Sequence, residues 1–470
     1  MAERDPPPRA THAATIHAKN TDYPSVRFLI LILISQQGLR RRGPRSSSRE
    51  RRLGAHLPCS RLGGASLSTL FIPMLLLLCF AALPLVYAEE GGKADRGFGY
   101  TRDVLAKGPV SIHIFKLERA HQDLCLATTS GKGRLLGMGT VPDQVRAFPT
   151  DLGTPIAAIN GDFYENDAPY QGSPRDLQIR MGELLSAPHG HACFWIDPQG
   201  QPCMTNIASG LKVVWQDGSE TPVGLNEPRK PEMAVVYTSV TGPATHTQDG
   251  LEIVLEAPAA TTRSGPPPLR PGVAIRTRVR AVLPGGNAPI GTNEFVVSIG
   301  PKHPKANAAP TPTPGDFVGL STETTPNLAG VTTAIGGGPT LVRNGKPNRW
   351  TGFQMRHPRS AIGWSKDHFF LVVVDGRQAG LSVGMTLTEL AEYMANMGCQ
   401  NAMNLDGGGS TTLWAMGNVM NNPSEGQERP AANAIVVYRK KTEHGRPLAE
   451  NRGHENASRD PLNPSSPANQ

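Results

Sequence analysis

Three short runs of this sequence place an aspartate and at least one glycine directly after an apolar, strand-like segment. The runs are Asn160-Gly161-Asp162 after Ile156–Ile159, Asp375-Gly376-Arg377 after Phe370–Val374, and Asp406-Gly407-Gly408-Gly409-Ser410-Thr411 after Ala402–Leu405. A buried strand delivers a polar side chain at its end, and glycine lets the backbone turn or approach a ligand closely. In open α/β sheets, ligands bind at the carboxyl ends of the strands. The three runs therefore predict one cleft that collects several carboxylates.

The glycine-rich run after Asp406 has the chemistry of an anion site. It lacks the lysine and the spacing of a nucleotide-binding P-loop, and Ser410 is not in a nucleophile elbow. Free backbone N–H groups beside the Ser410 and Thr411 hydroxyls can nevertheless receive an anion. A second triple-glycine loop, Gly336-Gly337-Gly338, has the same character.

Cationic groups that suit a phosphate stand nearby in the chain. Arg359 closes the run Arg356-His357-Pro358-Arg359, and Arg429 follows a polar loop. The planar guanidinium group donates two parallel hydrogen bonds to phosphate. A separate pair, His189 and His191, could place two imidazoles on one side of a strand, but the sequence offers no third metal ligand with a known spacing.

With these residues the sequence resembles the phosphodiester glycosidase family. The resemblance spans about residues 153–438 and includes Asn404–Thr412 as its most specific run. The other matching stretches, in chain order, are Asn160–Tyr164, Gly336–Pro339, Arg356–Gly363, Val374–Arg377, Gly384–Leu390 and Arg429–Ala434.

The resemblance implies hydrolysis of a sugar–phosphodiester bond, with a glycosyl phosphate as substrate, and it implies no organic cofactor. It also implies an α/β (α+β) fold of mixed β-sheets flanked by a few helices. Residues 206–300 match no feature of the family and are expected to form a β-rich insertion. The site residues carried over by position are Asp406, Asp162 and Asp375 as catalytic candidates, and Asn160, Arg359, Gly407, Gly408, Gly409, Ser410, Thr411, Arg429 and Asn433 as candidates for binding the substrate phosphate.

Glycosyl cleavage normally needs one carboxylic acid and a second carboxylate as base or nucleophile. A phosphate ester leaves without much protonation, so anion binding matters more than the acid. Asp406 is the leading candidate for activating water or attacking the anomeric carbon, and Asp162 is the second. Two alternatives stay open: a metal-dependent phosphodiesterase whose three aspartates hold Ca²⁺ or Mg²⁺, and a non-catalytic protein that binds envelope polysaccharide.

The elements that must position these residues are mostly short strands. Five of them alternate with Pro/Gly clusters between 206 and 300, and Pro301–Pro326 is expected to be a surface loop. One helix is well specified, because Thr386 and Glu389 form a capping box and Gly398 follows its end. The expected parts of the chain are an unstructured leader or a misassigned start at 1–66, a signal peptide at 67–88, N-terminal strands at 100–152, the family domain at 153–438 and a disordered tail at 442–470.

The charge of residues 89–470 gives no general reason to expect nucleic acid as a partner. The chain has 470 residues and a net charge of +8, but residues 1–88 carry 12 Lys/Arg against 4 Asp/Glu and the remainder carries 35 of each. Leu70–Val86 is apolar, with Arg61 before it and Ala88 at an A-x-A-like end, which is typical of a secretory signal peptide. The sequence therefore predicts a secreted or periplasmic protein, with an uncleaved membrane anchor as the alternative.

Export makes disulfides relevant. Cys193 and Cys203 flank the turn sequence Asp197-Pro198-Gln199-Gly200, so a hairpin would bring them close together. A disulfide and two buried thiols are both compatible with this pattern.

Overall fold

The computed structural model describes residues 96–106, 108–257, 268–307 and 311–441. The expected leader, signal peptide and tail lie outside these ranges. Within them, no helix combines the length and the apolar character that crossing a bilayer requires.

Strands dominate the described residues. The strands of the first half are β1 (Phe98–Leu105), β2 (Val110–Glu118), β3 (Leu124–Ser130), β4 (Gly153–Asn160), β5 (Gln178–Arg180), β6 (Glu183–Ser186), β7 (Ala192–Ile196), β8 (Pro202–Asn206), β9 (Ala208–Val214), β10 (Glu220–Pro222), β11 (Gly224–Leu225) and β12 (Ala234–Tyr237). Those of the second half are β13 (Leu251–Glu256), β14 (Ala274–Pro284), β15 (Glu294–Ile299), β16 (Phe317–Thr325), β17 (Thr333–Gly336), β18 (Thr340–Arg343), β19 (Lys346–Pro347), β20 (Arg359–Trp364), β21 (His368–Val374), β22 (Asn401–Asn404), β23 (Leu413–Ala415), β24 (Asn418–Val419) and β25 (Asn433–Lys440).

Two α-helices accompany the strands in the described ranges: α1 (Val141–Arg146) and α2 (Leu387–Asn396). The sequence prediction for α2 is confirmed. Thr386 is its N-cap, the Thr386–Glu389 capping box is present, and Gly398 follows the helix with a φ of +87°. Because helices are few, the α/β class is only partly right, and the protein is mostly β-sheet.

The strands form four sheets, whose orders are β1-β2-β21-β20-β22-β18-β19, β10-β9-β16-β14-β13-β15-β12-β11, β6-β5-β17-β7-β8 and β24-β23-β4-β25-β3. We call them the seven-stranded sheet, the eight-stranded sheet, the β17 sheet and the β4 sheet. Among the strand pairs of the described residues, β11–β12 alone is parallel. The expected mixed sheets are therefore nearly all antiparallel, because neighbouring strands are not joined by helical crossovers.

The seven-stranded sheet is covered on both faces. On one face α2 packs Leu390, Ala391 and Met394 against the sheet. On the other face, apolar side chains of the sheet pack with Ile159 of the β4 sheet and Ile335 of the β17 sheet. The strands at 100–152 are part of this arrangement, since β2 pairs with β21 and β3 pairs with β25.

The eight-stranded sheet contains the five strands expected between 206 and 300. It also contains β16, where the prediction of a surface loop at Pro301–Pro326 is wrong. The Pro/Thr-rich composition of that segment conceals an alternation in which Val318, Leu320 and Thr322 are buried. The β-rich region therefore extends to Thr325.

The β7–β8 hairpin is confirmed, with its turn between Ile196 and Pro202. Its register places Cys193 opposite Thr205 and Cys203 opposite Trp195, and both cysteines are free thiols. The two residues are thus offset along the hairpin, and no disulfide joins them.

Candidate active site

Chain direction brings the three aspartate runs toward a common region. β21 and β22 are both antiparallel to β20, so they run in the same direction and end at the edge where β20 begins with Arg359. In the β4 sheet, the end of β4 likewise meets the beginnings of β23 and β25. Alternate strands of an antiparallel sheet thus end at the same edge and bring their terminal residues together, as the parallel strands of an α/β sheet were expected to do.

Asn160 joins these two edges. Its side-chain N–H donates to the carbonyl of Asp406 at 2.6 Å, and its Oδ1 accepts from Ser360 Oγ at 2.6 Å and from the backbone N–H of Thr412 at 3.1 Å. The backbone N–H of Asp406 also donates to the carbonyl of Gly161 at 2.9 Å. Asn160 is fully buried, so the structure gives it a positioning role.

Asn433 positions the next residue in the same way. It is fully buried, and its Oδ1 accepts from the backbone N–H of Asp162 at 2.8 Å. Its amide N–H donates to Gln178 Oε1 at 3.2 Å. Both asparagines predicted to bind substrate therefore hold the backbone beside the aspartates.

Asp162 is a buried carboxyl group with an unusual balance of charge. It is 2% exposed, and its two oxygens accept backbone N–H groups of Phe163 at 2.8 Å and Asp176 at 2.9 Å. Burial, the negative charge of Asp176 and, to a smaller extent, that of Asp406 raise the pKa of Asp162 to about 8. The raised pKa favours the protonated form of this carboxyl group near neutral pH.

The triple-glycine loop Gly336-Gly337-Gly338 packs directly against these carboxyl groups. A Cβ at Gly336 would lie 2.5 Å from the Cβ of Asp176 and 2.8 Å from Oδ2 of Asp162. Any side chain at position 336 would therefore displace one of the two aspartates.

Asp406 is surrounded by donors. Its Oδ1 accepts the backbone N–H of Gly407 at 2.9 Å, Ser410 hydrogen-bonds to the carboxylate, and Arg429 Nη2 lies 3.8 Å from Oδ2. Arg429 also donates to Ser410 Oγ at 2.9 Å. Burial raises the pKa of Asp406 even though Ser410, Arg429 and Gly407 oppose that shift. Thr411 is buried, and its hydroxyl has no hydrogen-bond partner in the described part of the chain.

Arg359 and Arg377 form a cationic cluster with His357. Arg359 Nε donates to the Met385 carbonyl at 2.9 Å, and an Nη2···Nδ1 contact of 3.2 Å joins Arg377 to His357. Burial and the charge of Arg377 lower the pKa of Arg359, and burial together with both arginines lowers that of His357. Among the described residues, no carboxylate lies within ion-pair distance of either arginine.

The Gly407–Gly409 loop borders this cluster. The backbone N–H of Gly408 donates to the Pro358 carbonyl at 3.0 Å, and a Cβ at Gly408 would lie 3.2 Å from Nη2 of Arg377. On its other side, a Cβ at Gly409 would lie 3.0 Å from Cζ of Arg429. The loop thus lies between the Arg359–Arg377 cluster and Arg429, and the charge of Arg429 is partly balanced by Asp406 at 3.8 Å and Glu425 at 3.6 Å.

Asp375 differs from the other two aspartates in its hydrogen-bond partners. It is fully buried, it contacts His113 Nε2 at 2.8 Å, and it accepts the backbone N–H of Asn422 at 2.8 Å. Burial alone would raise the pKa of Asp375, but His113 and Asn422 together hold it below its ordinary value. Its carboxylate is therefore already satisfied by protein groups.

The two histidines considered as a metal pair bind different carboxylates. His189 Nε2 lies 2.9 Å from Glu227, which raises the pKa of His189, and His191 Nδ1 lies 2.8 Å from Asp176. Within the described ranges, no group of three or more His, Cys, Asp or Glu side chains is arranged to hold a metal ion.

Sequence reasoning missed Asp176 and Arg377 as site residues. Asp176 lies two residues before β5 begins at Gln178, so it is a polar residue near the amino end of a strand rather than after its carboxyl end. Arg377 belongs to the Asp375-Gly376-Arg377 run of the sequence. The sequence did not reveal its left-handed backbone, which has a φ of +61°. A non-glycine residue in that conformation is uncommon and often marks a functional site.

Comparisons with known proteins found a relative in sequence and solved structures of similar fold. Over 103 residues, 21% of this chain and 16% of the relative, the chain is 35% identical to the SPbeta prophage-derived uncharacterized protein YomE of Bacillus subtilis. A hypothetical protein from Synechocystis has a similar structure, with a TM-score of 0.59 and 19% identity over 73% of this chain and 62% of that one. A Burkholderia pseudomallei protein described as exported has a TM-score of 0.56 and 23% identity over 70% of this chain and 74% of that one.

At these identities the two solved structures establish similarity of fold alone. The chain spans less than two thirds of the Bacillus and Synechocystis proteins. The family comparison is more specific, because the matched segment contains Arg359, Arg377, Asp406, Ser410 and Arg429. Residues 273–438 match the phosphodiester glycosidase family, which confirms the resemblance that the sequence motifs indicated.

Proposed function

We propose that this protein hydrolyses a sugar 1-phosphodiester, releasing the sugar and leaving a phosphomonoester. The observation that carries the proposal is the cluster of Arg359 and Arg377, two mutually repelling cations with no carboxylate partner in the described residues, beside the Gly407–Gly409 loop. Two adjacent uncompensated guanidinium groups favour an anionic ligand, and phosphate matches their geometry.

The phosphodiester would lie between this cluster and Arg429. As the bond to the anomeric carbon breaks, negative charge grows on the departing phosphate. Fixed positive charges stabilise that change without reorganising, because they are already in place. The leaving phosphate needs little protonation, so these cations supply most of the assistance that an acid gives in other glycosidases.

Asp406 supplies the carboxylate that acts at the anomeric carbon, either by activating water or by direct attack. Its side chain is 14% exposed, whereas Asp162 is nearly enclosed. Asp162, with its raised pKa, serves as a hydrogen-bond donor near neutral pH. The stereochemistry of the released sugar distinguishes the two roles of Asp406: retention requires attack, and inversion requires activated water.

Neither a metal ion nor an organic cofactor has a part in this scheme. We also propose export to the periplasm or the extracellular space, where polysaccharides and glycoconjugates with glycosyl phosphates would be the substrates. The apolar segment Leu70–Val86 and the description of the Burkholderia protein as exported support this location. Amino-terminal sequencing of the exported protein should find cleavage after Ala88.

The test uses the full chain and a panel of sugar α-1-phospho-methyl esters, beginning with N-acetylglucosamine. We expect sugar release that is unaffected by EDTA, and we expect Asp406→Asn to lower kcat about 10²–10⁴-fold. Asp367→Asn, the same change in the exposed turn between β20 and β21, is the matched control and should leave the rate unchanged.

If EDTA abolishes sugar release, the aspartates would instead be ligands of a metal ion. A folded protein that binds the esters without turning them over would have a binding role instead. Full activity of Asp406→Asn would remove this residue from the mechanism.

A further inference from the structure

A cavity of about 450 Å³ opens beside Asp162 and Asp176. Its lining includes His191, Asn206 and the loop residues Gly338 to Thr340. We propose that this cavity binds the sugar of the substrate and that His191 Nε2 accepts a hydrogen bond from a sugar hydroxyl group. The inference rests on the proposed function and extends it to the sugar.

Asp176 fixes the orientation of the His191 ring. The carboxylate is 1% exposed, and its Oδ2 lies 2.8 Å from His191 Nδ1. Its Oδ1 accepts the backbone N–H of Leu177 at 2.7 Å and a hydrogen bond from Cys193 Sγ at 3.2 Å. With this many donors around it, Asp176 is an acceptor toward His191, so Nδ1 must carry the hydrogen.

This hydrogen bond leaves His191 Nε2 as the nitrogen that can accept a hydrogen bond from a ligand. A neutral imidazole with hydrogen on Nδ1 has its lone pair on Nε2. The His191 side chain is 68% exposed while its partner is buried, so one ring nitrogen is held by the protein and the exposed ring contributes to the lining of the cavity. An anchored ring loses little conformational entropy when it binds a ligand.

The cavity is lined by groups that can hydrogen-bond a polyhydroxylated ring, namely Asp162, His191 and Asn206, and by the charged side chain of Arg175. Its volume lies within the usual range for small-molecule sites. At one place His191 offers an acceptor, and at another Asp162 lines the cavity with a carboxyl group that burial keeps protonated near neutral pH. A sugar hydroxyl group both donates and accepts, so it can satisfy either group.

The residues proposed to bind the phosphate and those proposed to contact the sugar come from different parts of the chain. Asp176 and His191 lie outside residues 273–438, the segment that matches the family, whereas Arg359, Arg377 and Asp406 lie inside it. The groups proposed to act on the phosphate are therefore in the matched segment, and the groups proposed to contact the sugar are not.

The experiment compares variants of His191 that keep or lose the hydrogen-bond acceptor at the position of Nε2. In His191→Asn the amide N–H can still donate to Asp176, but the Nε2 acceptor is lost, and His191→Gln restores an acceptor further from the backbone. His189→Asn is the matched control, because His189 pairs with Glu227 and is not among the residues that line this cavity. The substrates are the ester that wild-type protein hydrolyses best and its 3-, 4- and 6-deoxy analogues.

We expect His191→Asn to raise KM about 10–100-fold with a smaller effect on kcat, since a lost contact to one hydroxyl group weakens binding by a hydrogen bond. His191→Gln should recover part of the loss, and His189→Asn should match the wild type. One deoxy analogue should be hydrolysed equally poorly by the wild type and by His191→Asn. That analogue lacks the hydroxyl group that His191 contacts, so removing His191 has no further effect on it. Unchanged KM in His191→Asn with every substrate would overturn the proposal.

A spectroscopic measurement separates this inference from the proposed activity. In ¹⁵N-histidine-labelled protein, the His191 signals are identified by their absence in His191→Asn. We expect Nε2 to be the unprotonated nitrogen and to shift when the 1-phospho-methyl esters of glucose, galactose, mannose or N-acetylglucosamine are added. A shift without turnover would support the sugar contact and refute the hydrolase. Turnover without a shift would refute the sugar contact and leave the hydrolase intact.

Discussion

Two aspartate–histidine pairs in this molecule have the same separation and opposite surroundings. Asp375 and His113 are 2.8 Å apart and both are buried, with side-chain exposures of 0% and 2%. Asp176 and His191 are also 2.8 Å apart, but the histidine is 68% exposed and lines a cavity. The hydrogen bond alone therefore does not distinguish a structural pair from one available to a ligand.

The neighbouring groups make the distinction. Around Asp375, His113 and Asn422 compensate the carboxylate, and the pKa of Asp375 is lowered. Next to Asp176 stands a second carboxyl group, Asp162, whose pKa is raised because burial and Asp176 disfavour its charge. A structural site balances its charges internally, whereas the cleft retains an imbalance that a substrate can use.

The largest expected effect is on the pH dependence of stability, when the Asp162 carboxyl group is replaced by a neutral amide. The pKa of Asp162 is above its unfolded value, so its contribution to stability is complete below pH 4 and is lost as pH rises through about 8. Stability of the wild type should fall over that interval by up to about 1.4 kcal/mol per pH unit. In Asp162→Asn this part of the slope should disappear, as measured by denaturant unfolding at pH 4–9. An unchanged slope would show that Asp162 ionises normally.

The second effect contrasts the two histidines directly. His113→Asn leaves the buried Asp375 carboxylate without its main partner and should lower the free energy of unfolding by about 3–5 kcal/mol. His191→Asn changes an exposed ring and should stay within about 0.5 kcal/mol of the wild type. Urea unfolding at pH 7 measures both. Equal losses would mean that exposure does not separate the pairs.

A smaller effect is expected at Arg377. Arg377→Gly relieves both the left-handed backbone and the repulsion with Arg359, so stability should rise by about 1 kcal/mol. The same change removes a phosphate donor, so kcat/KM should fall about 10–100-fold. Arg356→Ala is the control of equal charge, because Arg356 pairs with Glu389. Loss of stability together with activity would contradict the assignment of Arg377 to the phosphate.

Local rules predicted the parts of this molecule that local physics determines. The α2 capping box, the β7–β8 hairpin and the strands that end before Asp162, Asp375 and Asp406 all follow from neighbouring residues. The antiparallel order of the sheets does not, because it depends on pairings between strands far apart in the chain. The strand β16 was missed because the proline content around it masked its alternation.

The site could be predicted only in part for the same reason. Sequence placed three aspartates at strand ends, but it could not show that His113, more than 250 residues away, would satisfy Asp375. Nor could it show that Asp176 and His191 would meet beside Asp162, or that Arg359 and Arg377 would lie together without a carboxylate. The partner of each charged group decides its role, and partners are a property of the fold.

The position of bond cleavage tests the central claim most directly. The best ester of the panel is hydrolysed in ¹⁸O-labelled water, and the products are weighed by mass spectrometry. Attack at the anomeric carbon should place the label on the sugar and leave the phosphomonoester unlabelled, and Asp406→Asn should nearly abolish both products. Label on the phosphate instead would mean that water attacks phosphorus, and the protein would then be a phosphodiesterase rather than a glycosidase.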